Sequence, residues 1–380
     1  MPHLNQERRA EMNTAFKINL RTFELNQKPV YLAFAVNDGH DLIARKGTKL
    51  DERLKDRCLK RNIDVISVYY HKPDFMFDDT ATQQKIIVPK SVSSLGHKEI
   101  ENFNKFAETF SSGNEKLASQ FESIKQTGKV DEVEVYKLFQ NMTEVIPIKS
   151  DLLKYTHFLK THDDLTYAHS QKVALLCNML GTWMKLSKTE IELVTIAGLV
   201  HDIGKTELDA QLLRKKEKLT NLELEQLKKH TKLGFDFIVS SMKDARIASF
   251  ILDHHERVDG SGYSGKKASE LNKYVNILMV CDVYAALTSD RPYKKAMDPF
   301  FAMKFLNLNE RTKLDPAVMY QFQLNIAQQY IGSRVILTDN SEWQIVHINN
   351  ADVTRPLLRN DAGEFFSLLD NKSVDILTLV

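Results

Sequence analysis

IELVTIAGLVHDIGK, residues 191–205, is a mostly apolar run that ends on an adjacent histidine and aspartate. Ser187 with Glu190 just upstream is a helix-start pair, so a helix is expected with His201 and Asp202 at its end. Packing gives two ionisable side chains no reason to sit there. Neighbouring helix positions differ by about 100°, so the pair can approach one metal ion from different sides. A carboxylate has two oxygens, so Asp202 could bridge two ions that neutral imidazoles complete.

The segments on either side share the helical texture. Helix starts are expected at Thr220 with Glu223 and at Asp298 before Pro299. An all-α domain is therefore expected over residues 150–325, making the chain mainly α. Upstream, Phe103, Phe106, Phe110, Leu117, Phe121 and Ile124 recur at helical steps, with Gly113 as a candidate break, so residues 96–149 read as a helical connector of one or two helices. Before it, KPVYLAFAVN (28–37) and DVISVYY (64–70) look like strands. DGHD (38–41) between them reads as a turn, and Leu50, Leu54, Cys58 and Ile63 mark a helix. Residues 1–95 are thus expected to form a small α/β module with a regulatory role. After Ile331 the chain alternates short strands (RVILT, WQIVHIN, RPLLR, EFFSLL, VDILTLV) with turn residues, so a β-rich module is expected over 326–380.

With 380 residues the chain exceeds one ordinary core, and 43% hydrophobic with 27% charged residues is globular composition. The net charge of +2, from 52 basic and 50 acidic residues, argues against a nucleic-acid polymer or a membrane surface as partner. Cys58, Cys177 and Cys281 are far apart and suggest no disulfide framework. The N-terminus is charged where a signal peptide is apolar, and no apolar run nears the roughly 18–20 residues of a membrane helix. A cytoplasmic protein is expected.

Five histidines of the helical segment, His169, His201, His230, His254 and His255, stand near helix ends or inner faces. His169 shares its face with Val173, Leu176 and Leu180, which turns it toward the core. Asp282 interrupts the apolar run LMVCDVYAAL, and burying an unpaired carboxylate costs several kcal/mol, so a metal partner is expected. Imidazoles with carboxylates suit iron, manganese, cobalt or zinc better than calcium or magnesium.

HDIGK at 201–205, HHERVDGSGYSG at 254–265 and CDVYAALTSDRPYKKA at 281–296 together resemble the HD-GYP family of bacterial cyclic dinucleotide phosphodiesterases. The resemblance implies an all-α HD fold and hydrolysis of cyclic di-GMP to pGpG or GMP. It places the metal ligands on His169, His201, Asp202, His230, His254, His255 and Asp282. The partition read from it gives His169, His201, Asp202 and Asp282 to one ion, and His230, His254 and His255 with bridging Asp202 to the other. Two divalent ions, iron or manganese, are expected, because the glutamate that would hold a third is replaced by Leu165.

Two such ions would lower the pKa of a shared water and clamp the scissile phosphate, with Asp202 and Lys205 as the catalytic side chains. Arg291 and Lys294 offer a guanidinium fork and a point charge to the substrate phosphates. Gly262 and Tyr263 lie in a permissive loop that the resemblance links to substrate access and to partner proteins. In Gly262-Tyr263-Ser264 a serine replaces the family's proline, which removes a backbone restraint, and Ala285 stands where the family usually has another aspartate. A mixed cyclic GMP-AMP dinucleotide or another phosphoester is the alternative substrate, and a weakly active signalling module the alternative class. A homodimer is left open.

Overall fold

A computed structural model describes residues 16–20, 31–32, 36–37, 42–44, 49–61, 63, 65–69, 97–144, 153, 165–215, 217–242, 244–289 and 296–379. The chain divides into two compact units, Met1–Gln84 and Lys85–Val380.

In the first unit, β1 (Phe16–Asn19) and β2 (Tyr31–Leu32) each pair antiparallel with β5 (Val65–Tyr69). A second pair joins β3 (Val36–Asn37) to β4 (Leu42–Ala44). Helix α1 (Glu52–Leu59) starts at Asp51, whose carboxylate accepts from the Leu54 amide at 2.7 Å, and Leu54 and Cys58 are its buried face. Of the run 28–37, only Tyr31–Leu32 and Val36–Asn37 fall among the described residues, and DGHD falls outside them. Strand β1 escaped the sequence reading because four residues, FKIN, give too short an alternation to stand out.

The second unit is built on helices. Helix α2 (His97–Thr127) runs without interruption through Gly113, so the candidate break there is not used. The glycine serves close approach instead, since a Cβ there would collide with the side chain of Gln171, which donates to the Phe110 carbonyl at 3.2 Å. After α3 (Glu132–Glu144), α4 (Leu165–Trp183) and α5 (Lys188–Val200) form the centre. The capping box between Ser187 and Glu190 starts α5 as its sequence predicts.

Gly198 sets the spacing of this central pair, because a Cβ on it would lie 2.8 Å from Ala174 Cα and 3.0 Å from the Ala174 nitrogen. A 3₁₀ turn (Ile203–Glu207) and α6 (Ala210–Arg214) then lead to α7 (Asn221–Ser241) and α8 (Ala245–Asp253). Helices α9 (Val275–Leu287), α10 (Pro299–Asn309) and α11 (Pro316–Gln328) complete the bundle. The apolar stripe of α2 (Phe103, Phe106, Phe121) is buried in the same core as Val173 and Leu176 of α4.

The chain closes in a five-stranded antiparallel sheet of order β10-β6-β7-β8-β9: β6 (Arg334–Leu337), β7 (Glu342–His347), β8 (Leu357–Arg359), β9 (Phe365–Ser367) and β10 (Ile376–Leu379). Each strand coincides with one of the runs expected after Ile331, β7 starting one residue earlier at Glu342. Val335, Leu337, Ile345, Leu358 and Ile376 join the helical core. Asp298, the N-cap of α10, accepts from the Phe300 amide at 2.9 Å and from the Leu379 amide at 2.8 Å, tying the last strand to the bundle.

A side chain at residue 198 would force α4 and α5 apart. Gly198→Val is expected to cost about 1–3 kcal/mol or more of stability in a urea melt and to lower bound metal, because His201 stands one turn further on.

Candidate metal centre

Two of the candidate side chains stand at helix C-caps. His201 caps α5 and His254 caps α8, where the last carbonyls of a helix have no partner within it. Each ring turns back to satisfy one: His201 Nδ1 donates to the Gly198 carbonyl at 2.8 Å, and His254 Nδ1 to that of Ile251 at 2.7 Å. His230, inside α7, makes the same bond to the Leu227 carbonyl at 2.6 Å. With the proton fixed on Nδ1, each Nε2 presents a lone pair, the arrangement a metal-ligating histidine needs. The two helix C-termini also direct partial negative charge at the centre, which favours cations.

Asp202 lies among these rings, 2% exposed. Its Oδ2 is 3.3 Å from His201 Nε2, and its Oδ1 is 3.5 Å from His230 Nε2 and 3.9 Å from His254 Nε2. On the other flank, His169 Nε2 donates to Asp282 Oδ1 at 2.8 Å, and that oxygen is 3.9 Å from His201 Nε2. The ligand atoms fall into two groups within 4.8 Å: His169, His201 and Asp202, and Asp202, His230, His254 and His255. Asp202 belongs to both.

His201 Nε2 and Asp202 Oδ1 are buried without a hydrogen-bond partner, a costly state for polar atoms that a divalent cation would relieve. The residues therefore fit divalent metal ions. His169, His201, Asp202, His230, His254, His255 and Asp282 all converge on this centre.

Among the other expected residues, Lys205 donates to Asp202 Oδ2 at 2.6 Å. The α-helix stops at Val200, so Lys205 sits on a 3₁₀ turn, three residues from its partner. Tyr263 packs over His255 with ring centroids 4.6 Å apart and stands edge-on to His230 at 6.4 Å. At Gly262 a Cβ would collide with the Glu256 backbone. Arg291 and Lys294 lie outside the described residues. Ala285 is fully buried on α9, one turn after Asp282.

Lys172 and Glu256 are among the buried polar residues that escaped the sequence reading. Lys172, three residues after His169, donates to the Thr288 carbonyl at 2.6 Å and to Ser289 Oγ at 3.2 Å, fixing the end of α9. Glu256, 1% exposed, accepts from the backbone and hydroxyl of Ser264 and from the Lys266 amide. A lysine and a glutamate amid apolar or histidine-rich sequence were the available signals.

Burial sets most of the proton affinities. It lowers the pKa values of His169, His230 and His254 below the ordinary 6.5, and takes His255 to about 3. Burial opposes protonation of His201 too, but the charges of Asp202 and Asp282 outweigh it and raise its pKa. For Asp202, burial is overcome by Lys205 and His201, and for Asp282 by its hydrogen bond to His169. Both carboxylates are held well below the usual range. Burial, with the charges of Asp202 and Asp282, pushes the Tyr263 phenol up to about 12, so it stays protonated.

Residues 155–318 match the family model described as the HD domain. The chain is similar to a cyclic di-GMP phosphodiesterase of Pseudomonas aeruginosa, 34% identical over 181 residues that cover 47% of this chain and 44% of the relative. It is similar to a cyclic di-GMP phosphodiesterase response regulator of Xanthomonas campestris, 30% identical over 53% of each chain. A 3'3'-cGAMP-specific phosphodiesterase of Vibrio cholerae is 31% identical over 54% of this chain and 48% of that one. The chain thus spans about half the length of the curated relatives it matches. These matches bear out the family expected from the three motifs. Among the described residues, no helix is long and apolar enough to cross a membrane.

The lowered histidines imply a pH dependence for the metal-free protein. His201 and Asp298, both raised, act in the opposite sense, but below the ordinary imidazole value of 6.5 the unfolded chain takes up protons that the folded His169, His230, His254 and His255 refuse. Their contribution to stability is complete above that value and is lost as pH falls toward the folded values. Melting of chelator-treated protein is expected to shift to lower temperature from about pH 7 to about pH 5; a flat or rising profile would contradict the assigned burial.

Proposed function

We propose that the HD domain of residues 155–318 is the core of a phosphodiesterase that hydrolyses cyclic di-GMP to pGpG or GMP. The observation that carries this reading is the carboxylate of Asp202, common to two clusters of imidazole donors. His169, His201, Asp202 and Asp282 would hold one divalent ion, and Asp202, His230, His254 and His255 the other, iron or manganese being the metal that such donors suit. When bound, a pair of ions supplies Lewis-acid activation of water and of the scissile phosphate.

The chain's own groups do the rest. The backbone carbonyls of Gly198, Leu227 and Ile251 orient three imidazoles, so substrate meets a fixed donor array. Lys205, a quarter exposed and held on Asp202, offers its ammonium to charge developing on the phosphoryl oxygens. Tyr263, protonated at neutral pH, can donate a hydrogen bond or stack on a base from its place over His255. Arg291 and Lys294 follow Asp282 closely in sequence and would bind the phosphates that flank the scissile one.

On this reading residues 150–325 are the catalytic domain, 96–149 its connector, 326–380 a closing β module and 1–95 a regulatory module in a cytoplasmic protein. The Gly262-Tyr263-Ser264 loop would serve protein partners, and self-association as a homodimer fits the same scheme. A mixed cyclic GMP-AMP dinucleotide is the second substrate reading, favoured by the likeness to the cGAMP-specific relative of Vibrio cholerae.

Metal analysis of purified protein, joined to a cyclic dinucleotide panel with product chromatography, tests the proposal. Wild type is expected to carry two ions, and Asp202→Ala to lose metal affinity by more than about a hundredfold at both, with activity lost in parallel. Retention of both ions by that variant would refute the bridging role. Arg291→Ala is expected to lower kcat/KM by about ten- to a hundredfold with metal content unchanged, the effect of losing a charge-assisted hydrogen bond.

A further inference from the structure

The loop after the His254-His255 pair is tied down in an unusual way. An antiparallel bridge between Asp259 and Lys267 closes it, and Gly260 and Gly265 take φ values of 83° and 78°, the left-handed region open to glycine. Beneath it lies Glu256. Ser264 donates to Glu256 Oε1 twice, from its amide at 2.7 Å and from its hydroxyl at 2.8 Å, and the Lys266 amide donates to Oε2 at 3.0 Å. Gly262 lets the backbone settle onto this carboxyl group, because an added Cβ would lie 2.7 Å from Glu256 Oε2 and 2.7 Å from the Arg257 nitrogen. Asp253, also buried, takes the Lys266 ammonium at 2.7 Å. Carboxyl groups on both sides of the histidine pair thus grip the loop that carries Tyr263.

A proline at position 264 could supply neither of the Ser264 donors, having no amide hydrogen and no hydroxyl. The serine therefore does more than relax a restraint: it replaces a ring constraint with two hydrogen bonds to a buried acceptor.

We propose that Ser264, acting through Glu256, is a positioning residue that fixes Tyr263 as a roof over His255 and so governs how a large substrate seats at the metal centre. The substrate half of this rests on the phosphodiesterase reading; the positioning half does not. Tyr263 follows because it is the residue next to the anchor, and its ring already rests on His255 and, at 5.5 Å, under the Lys228 ammonium.

The test uses the full chain in four forms: wild type, Ser264→Ala, Ser264→Pro and Ser264→Thr, with Glu256→Gln as a check on the acceptor. Amide hydrogen exchange of the peptide spanning 259–267, measured without substrate, reads positioning directly. Exchange is expected to rise about tenfold in Ser264→Ala, the loss of one hydrogen bond to a carboxyl group, with Ser264→Thr restored to the wild-type rate. It is also expected to rise further in Ser264→Pro, at the remaining amides.

Kinetics then separate this role from a general loss of structure. KM for cyclic di-GMP is expected to rise in Ser264→Ala while metal content and kcat on the small diester bis(p-nitrophenyl) phosphate stay within about twofold of wild type. Wild-type exchange in Ser264→Ala and Ser264→Pro would overturn the anchor. Changed exchange with an unchanged KM would overturn the substrate role. Should wild type hydrolyse no phosphodiester, the phosphodiesterase reading and the substrate role fall together, and the exchange measurement alone decides the anchor.

Discussion

A carboxylate almost wholly removed from water must find positive charge, and around Asp202 the chain is arranged to supply or receive it. Lys205 reaches one oxygen at 2.6 Å, and imidazoles of α5, α7 and the end of α8 approach within 3.9 Å. Charges at these distances in a poorly solvated site interact far more strongly than at a surface. This one group therefore requires three helices to meet at a point. Small residues permit the meeting: Gly198 seats α5 on Ala174, and Gly204 lets the 3₁₀ turn lie against α7, since a Cβ on it would collide with the His230 carbonyl and stand 2.6 Å from the Gly234 nitrogen. The glycine of HDIGK is thus a spacing element of the donor array.

How much of this was legible in the sequence depends on range. The helical domain and the five C-terminal strands could be read because their apolar periodicity and turn residues are local signals. His201 and His254 were legible as ionisable residues at helix ends, and Asp282 as a carboxylate in an apolar run, whereas the full donor set came from the likeness of three motifs to a known family. Other features come from contacts between distant segments and leave little local trace. Gly113 looked like a helix break, yet it answers to Gln171 on another helix. Glu256 drew no reading of its own from the sequence, since only folding brings Ser264 and Lys266 onto it. The change from α-helix to 3₁₀ turn after Val200 likewise decides which oxygen Lys205 meets, and residue spacing did not reveal it.

The helical and β segments share one interior. Val335, Leu337 and Ile345 of the closing sheet lie in the same buried cluster as Leu278 and Met279 of α9, the helix that carries Asp282. Asp298 adds a directed link, since its carboxyl group both starts α10 and holds the Leu379 amide. Burial raises that group to about 6, so the link between the last strand and the bundle runs through an acid that titrates close to neutrality.

The bonds from His201, His230 and His254 to carbonyls of their own helices bear on the entropy of ligand capture. In a small zinc-dependent module the apo chain is unfolded and metal creates the fold. Here each imidazole is oriented by a backbone group three residues back, so its direction is set by the helix that carries it. The rotamer freedom of these three rings is lost in folding and not at the moment a ligand is captured, which is the thermodynamic meaning of a preorganised donor set.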